Sequence, residues 1–153
     1  MTEILYKIPV WAWVSGTAAK MEAAGVEDPK TWTRYWFETY QALGGTSTST
    51  GKKGCPKCAG YALWYLGWLR RSKRPALSWS VNEVRDKLGI SGAYSAIAVR
   101  LLRQRAPPKP VGQLWKSVRR EFERETSETA ANTEQGAVRL ATALFLEGRL
   151  EAA

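Results

Sequence analysis

Apolar positions along the chain recur at helical spacing, and a two-residue alternation is not sustained anywhere, so the pattern predicts an all-α protein. Trp32, Trp36 and Tyr40 stand four residues apart, as do Leu114, Val118 and Phe122. Each set lines one face of a helix. The run "AGYALWYLGWL", 59–69, is apolar on every side. It predicts a helix over 56–69 that has to be covered all round, and is therefore central. The run is too short to span a bilayer.

Local signals place the boundaries. Asp28 before Pro29 reads as an N-cap and a first helical residue. Ser80 and Glu83 form a capping-box pattern that opens a short helix to about Leu88, which Gly89 stops. "APPKP", 106–110, breaks the chain ahead of the Leu114 helix.

The apolar pattern also repeats. Ala62, Leu63, Trp64, Gly67 and Leu69 match Ala143, Leu144, Phe145, Gly148 and Leu150 at an offset of 81 residues. The Trp32–Trp36–Tyr40 face returns as Leu114–Val118–Phe122 at an offset of 82, and hydroxyl-rich segments follow both. Ser15-Gly16 and Ser91-Gly92 each precede helix-like sequence. The expected fold is one domain, 1–153, a compact bundle of six main helices. It is built from two duplicated three-helix units, about 10–69 and 91–150, with a short helix in the linker 70–90. Its core should hold Trp32, Trp36, Tyr40, Leu63, Leu66, Leu101, Leu114, Val118, Leu144 and Phe145.

Composition narrows the chemistry. The 153 residues are 44% hydrophobic and 24% charged, the balance of a globular domain with a real core. Eight tryptophans make aromatic packing the main filling of that core. Histidine is absent, which removes the commonest general base and the commonest zinc ligand together. The only two cysteines, Cys55 and Cys58, leave a single chain short of a four-ligand Cys/His zinc site, and no cofactor is expected. The N-terminus lacks the features of a signal peptide, and the expected location is the cytoplasm with no membrane role. A net charge of +9 favours anionic partners.

The segment "GKKGCPKCAGYALWYLGWL" resembles a family of small, uncharacterised bacterial proteins, a domain of unknown function. The family features are Gly54-Cys55-Pro56-Lys57 before an apolar helix ending Gly-x-Leu, then Tyr94, Ala98, Leu101 and Leu102. Leu114, Trp115 and Val118 follow, with Asn132, Gln135, Gly136, Gly148 and Leu150 after them. The likeness covers about 45–150 and departs in the linker "RRSKRPALSWSVNEVRDK". It implies a shared fold and no particular activity.

The stretch "GGTSTSTGKKGCPKCAG", 44–60, carries the candidate chemistry. It fails as a Walker loop: Lys53 takes the place of the magnesium-binding hydroxyl and no strand precedes it. A thiolate at Cys55 would be favoured by a helix N-terminus and three lysines, yet the βαβ setting of a dithiol enzyme is missing. The plain reading makes Cys55 a small buried residue capping a helix, with Pro56 at its first position. The remaining reading is an anion cradle: Thr48, Ser49, Thr50, Gly51, Lys52, Lys53 and Lys57 at one end of the helix, with Arg70, Arg71 and Arg74 beyond the other. "VNEVRDKLGISGAYSAIAVRLLRQR" has the cadence of a helix-turn-helix whose second helix carries Arg100, Arg103 and Arg105. Arg85 and Ser95 are wrong for that motif, and an ordinary helical hairpin is preferred.

The functional expectation is non-catalytic binding of an anionic partner, nucleic-acid backbone or phosphate, through that basic loop and helix end. Interaction or self-association through Trp11 and Trp13 is the alternative, and a thiol-based enzyme using Cys55 the third. Glu121, Glu123, Glu125 and Glu128 mix with arginines as a solvated helix end does, and do not form a paired-carboxylate site.

Overall fold

The computed structural model describes residues 2–104, 110–134 and 136–151. Arg105, most of the "APPKP" break and Gln135 lie outside the described residues. Within them the order is β1 (Ile4–Leu5), β2 (Ile8–Pro9), α1 (Val10–Ala24), α2 (Pro29–Ala42), α3 (Thr48–Gly51) and α4 (Gly54–Tyr65). Then come α5 (Val81–Leu88), α6 (Ile90–Gln104), α7 (Val111–Thr126) and α8 (Ala137–Leu146). The described residues form an all-α bundle of six main helices in two three-helix units, with α5 in the linker.

The sequence signals act as read at three places. The Asp28 side chain accepts from the Thr31 N–H, with Pro29 at N1. Ser80 and Glu83 make both bonds of a capping box. Gly89 closes α5 at a φ of 89°.

The two units match most closely where α4 and α8 end. Gly67 and Gly148 are left-handed at φ 74° and 67°. The Trp68 N–H donates to the Leu63 carbonyl at 3.1 Å, and the Arg149 N–H to the Leu144 carbonyl at 2.9 Å. These are the same Schellman closure made twice. The emerging strands then pair antiparallel through Leu69 and Leu150. That bridge joins equivalent residues, so a local twofold axis passes through it.

Four expectations change. The helix expected over 56–69 ends at Tyr65, because Gly67 turns the chain left-handed; it starts at Gly54, with Lys53 as N-cap. Burial is most extensive on α6, where Ser91 through Val99, Leu101 and Leu102 are all covered, so α6 shares the centre with α4. α6 packs against α4, α5, α7 and α8. Phe145 is only half-buried, whereas the other expected core residues are buried. The Ser-Gly pairs are not equivalent either. α1 starts at Val10, well ahead of Ser15, and Trp13 takes the place that Tyr94 holds in α6.

Trp13 stacks on Trp36 with centroids 4.3 Å apart and reaches Tyr40 at 5.1 Å. Tyr94 meets Trp115 and Phe122, each at 4.9 Å. Each unit's first helix is thus locked to its second by aromatic rings. Each first helix is also preceded by a covering element. In the first unit it is the β1–β2 hairpin, which touches α1 and α8; in the second it is α5, which touches α6, α4 and α7. The hairpin is absent from the sequence expectation, since two-residue strands are too short to alternate.

Candidate nucleic-acid interface

The hydroxyl-rich loop is ordered by its own side chains. Ser47 caps α3 by accepting from the Thr50 N–H at 3.2 Å, and its Oγ lies 3.2 Å from that of Ser49. The Ser47 N–H in turn donates to the Tyr40 hydroxyl at 3.1 Å. Gly51 is buried on the aromatic floor of α2: an added Cβ would stand 2.6 Å from a Phe37 ring carbon and 2.7 Å from Tyr40. Gly51 is therefore a packing glycine, not an open backbone for a ligand, which corrects its place in the expected cradle.

Lys52 and Lys53 close this turn, and both side chains are exposed. The Lys52 Nζ lies over the Phe37 ring at 5.6 Å and the Lys53 Nζ over the Tyr6 ring at 5.6 Å. Among the described residues neither forms an ion pair. Lys57 stands one turn along α4, its carbonyl accepting from the Trp32 indole N–H at 3.0 Å. Between the hairpin turn and the end of α2 opens a groove of about 400 Å³, lined by Tyr6, Lys7, Tyr40, Gly45, Ser47 and Thr50 among others. Lys7 and Tyr6 are the residues that sequence reasoning missed. Only the hairpin places them there, and a two-residue strand leaves no periodic trace.

The far basic cluster divides. Arg70 and Arg71 are exposed. Arg74 is committed to the fold: its Nε and Nη2 donate to the Tyr65 carbonyl at 3.3 and 3.1 Å, and its Nη1 pairs with Glu27. Its guanidinium also lies over Trp64 and Tyr65, at 5.0 and 4.3 Å. With three side-chain donors engaged this way, Arg74 leaves the candidate set. The twelve residues of α4 separate the two ends by about 18 Å at ~1.5 Å per residue.

The thiols lie in the first turns of α4, both half-buried. Cys55 is therefore less covered than expected, and Pro56 is the third residue of the helix, not the first. Proline is tolerated there because the first-turn N–H groups have no intrahelical partner. Burial pushes the Cys58 thiol above its ordinary value, against a smaller opposing pull from Lys57. Among the described residues, no group of three or more His, Cys, Asp or Glu side chains could hold a metal ion.

The helix-turn-helix cadence is an ordinary hairpin. α6, its second helix, is too deeply buried to enter a groove of DNA. Arg100 pairs with Glu121 and Glu125, and Arg85 with Glu128. Trp13 is fully buried, and Trp11 is half-buried with the Arg149 guanidinium 5.1 Å from its ring. Among the described residues no helix is long and apolar enough to cross a membrane. No family model, no curated protein and no solved structure matches the chain.

Proposed function

We propose that the protein binds the phosphate backbone of nucleic acid through the surface formed by Lys7, Lys52, Lys53 and Lys57, and that it does so without catalysis. The observation that carries this reading is the alternation of uncompensated lysines with aromatic rings: Lys53 over Tyr6 and Lys52 over Phe37. Cations supply affinity for phosphate, and ring faces suit bases. Arg70 and Arg71, at the other end of α4, extend the positive surface to a length that a polyanion can follow and a single phosphate cannot. The family resemblance, offered on motifs alone, adds a shared fold and no activity.

Fluorescence anisotropy with labelled oligonucleotides tests the reading. Four phosphate contacts give a log–log salt slope of about −3 to −4. Lys52→Glu with Lys53→Glu should abolish binding while the circular dichroism spectrum stays helical. Wild-type affinity in the charge-reversed protein would overturn the proposal, as would a salt-independent affinity.

A further inference from the structure

Resting on that reading, we infer that the groove beneath the hairpin turn holds one unpaired nucleotide, with Tyr6 as its stacking platform, so that the partner is a single strand.

The internal repeat supplies the argument. In the second unit α5 sits over the end of α7, and polar cross-links close the contact. Asn82 Nδ2 donates to the Glu125 carbonyl at 2.8 Å, and Arg85 makes two bonds to the Glu128 carboxylate at 2.9 and 3.0 Å. The hairpin precedes α1 as α5 precedes α6, and it touches α1 and α8 where α5 touches α6 and α4. At the offset of 82 residues Thr46 is the sequence counterpart of Glu128. Among the described residues no ion pair or side-chain hydrogen bond of that kind ties the hairpin to the end of α2, and a groove of about 400 Å³ lies between them. That volume lies within the range of small-ligand sites, about 300–1,000 Å³.

The lining fits a nucleotide. Tyr6 is one of the few large apolar side chains left exposed, at 37%. Lys7 and Lys53 flank it, and Thr46, Ser47 and Thr50 supply hydroxyl groups on the opposite wall. Tyr6 and Lys7 both adopt left-handed backbone, at φ 53° and 68°, a turn that asparagine and glycine make at lower cost. The chain thus keeps a ring and a cation at two strained positions facing the groove. A base in a duplex is stacked on both faces and cannot reach this ring, whereas an unpaired base can.

The experiment compares single-stranded and duplex oligonucleotides of one length, and a mononucleotide, against wild type, Tyr6→Asn and Tyr6→Phe. Asn keeps the left-handed turn and removes the ring, and Phe keeps the ring. Thermal melts check that both variants fold. Wild type should prefer the single strand. Tyr6→Asn should weaken single-strand binding roughly 5-fold to 100-fold with the duplex unaffected, and Tyr6→Phe should stay near wild type. Equal affinity for single strand and duplex, or an unchanged Tyr6→Asn, overturns the inference. If that binding still vanishes in Lys52→Glu/Lys53→Glu, the backbone reading stands without it. Mononucleotide binding as tight as the oligonucleotide's overturns the strand and makes a free nucleotide the ligand.

Discussion

Leu69 and Leu150, the last matched residues of the two units, face each other in an antiparallel bridge. The Arg70 N–H donates to the Arg149 carbonyl at 2.7 Å, and the Glu151 N–H to the Trp68 carbonyl at 2.8 Å. The twofold relation exchanges these two bonds. Each chain end thereby satisfies the backbone of the other, and the two units are fastened where their helices stop.

That closure depends on two glycines with one conformation and different surroundings. A Cβ on Gly148 would meet nothing within 4 Å, but on Gly67 it would lie 2.2 Å from the Pro75 carbonyl oxygen. Gly148→Ala should cost about 1–2 kcal/mol, the penalty of a left-handed alanine. Gly67→Ala should cost about 1–3 kcal/mol beyond that, from overpacking against the backbone. Urea unfolding of the two variants measures the difference, and equal midpoints would contradict the account.

Arg74 and Arg70 should separate stability from binding. Arg74→Ala removes a guanidinium that bonds the Tyr65 carbonyl and covers two rings, and should destabilise by about 2 kcal/mol. Arg70→Ala should stay within about 0.5 kcal/mol of wild type. Oligonucleotide affinity of the folded protein should fall for Arg70→Ala and stay constant for Arg74→Ala.

Alkaline pH acts on Tyr61. Burial, reinforced by Tyr65 and Glu27, pushes its phenol up to about 12 from an ordinary 10.0. Its hydroxyl donates to the Glu27 carbonyl at 2.5 Å. The fold prefers the neutral phenol, so this contribution is whole below pH 10 and is lost as the pH rises through about 12. Burial also raises the phenols of Tyr6 and Tyr94. Ultraviolet titration at high pH should therefore show several late-ionising tyrosines, and Tyr61→Phe should remove one of them and shift alkaline unfolding to higher pH.

Cys58 should behave as a shielded thiol. In a Cys55→Ser protein, iodoacetamide should modify it slowly at neutral pH, because burial raises its pKa. Modification should accelerate in urea. Rapid alkylation of the folded Cys55→Ser protein near pH 7 would contradict this account.

What the chain determines locally was legible in it. Asp28, Ser80 and Gly89 act on atoms within a few residues of themselves, so their caps follow from identity and spacing alone. The repeat was legible because Gly67 and Gly148 answer the same backbone demand, and because Trp32–Trp36–Tyr40 and Leu114–Val118–Phe122 keep one helical face. Tertiary structure decided the rest. Arg74 and Lys52 are both cations next to glycines or prolines in sequence; only packing sends one under Trp64 and Tyr65 and leaves the other over Phe37 in solvent. Gly51 reads as an open-loop glycine until the rings of α2 arrive beneath it. Tyr6 and Lys7 carry no periodic signal. They become a site only because the hairpin turn and the end of α2 line one groove. A groove is a relation between segments distant along the chain, and its shape follows from how they pack, not from the order of residues in either.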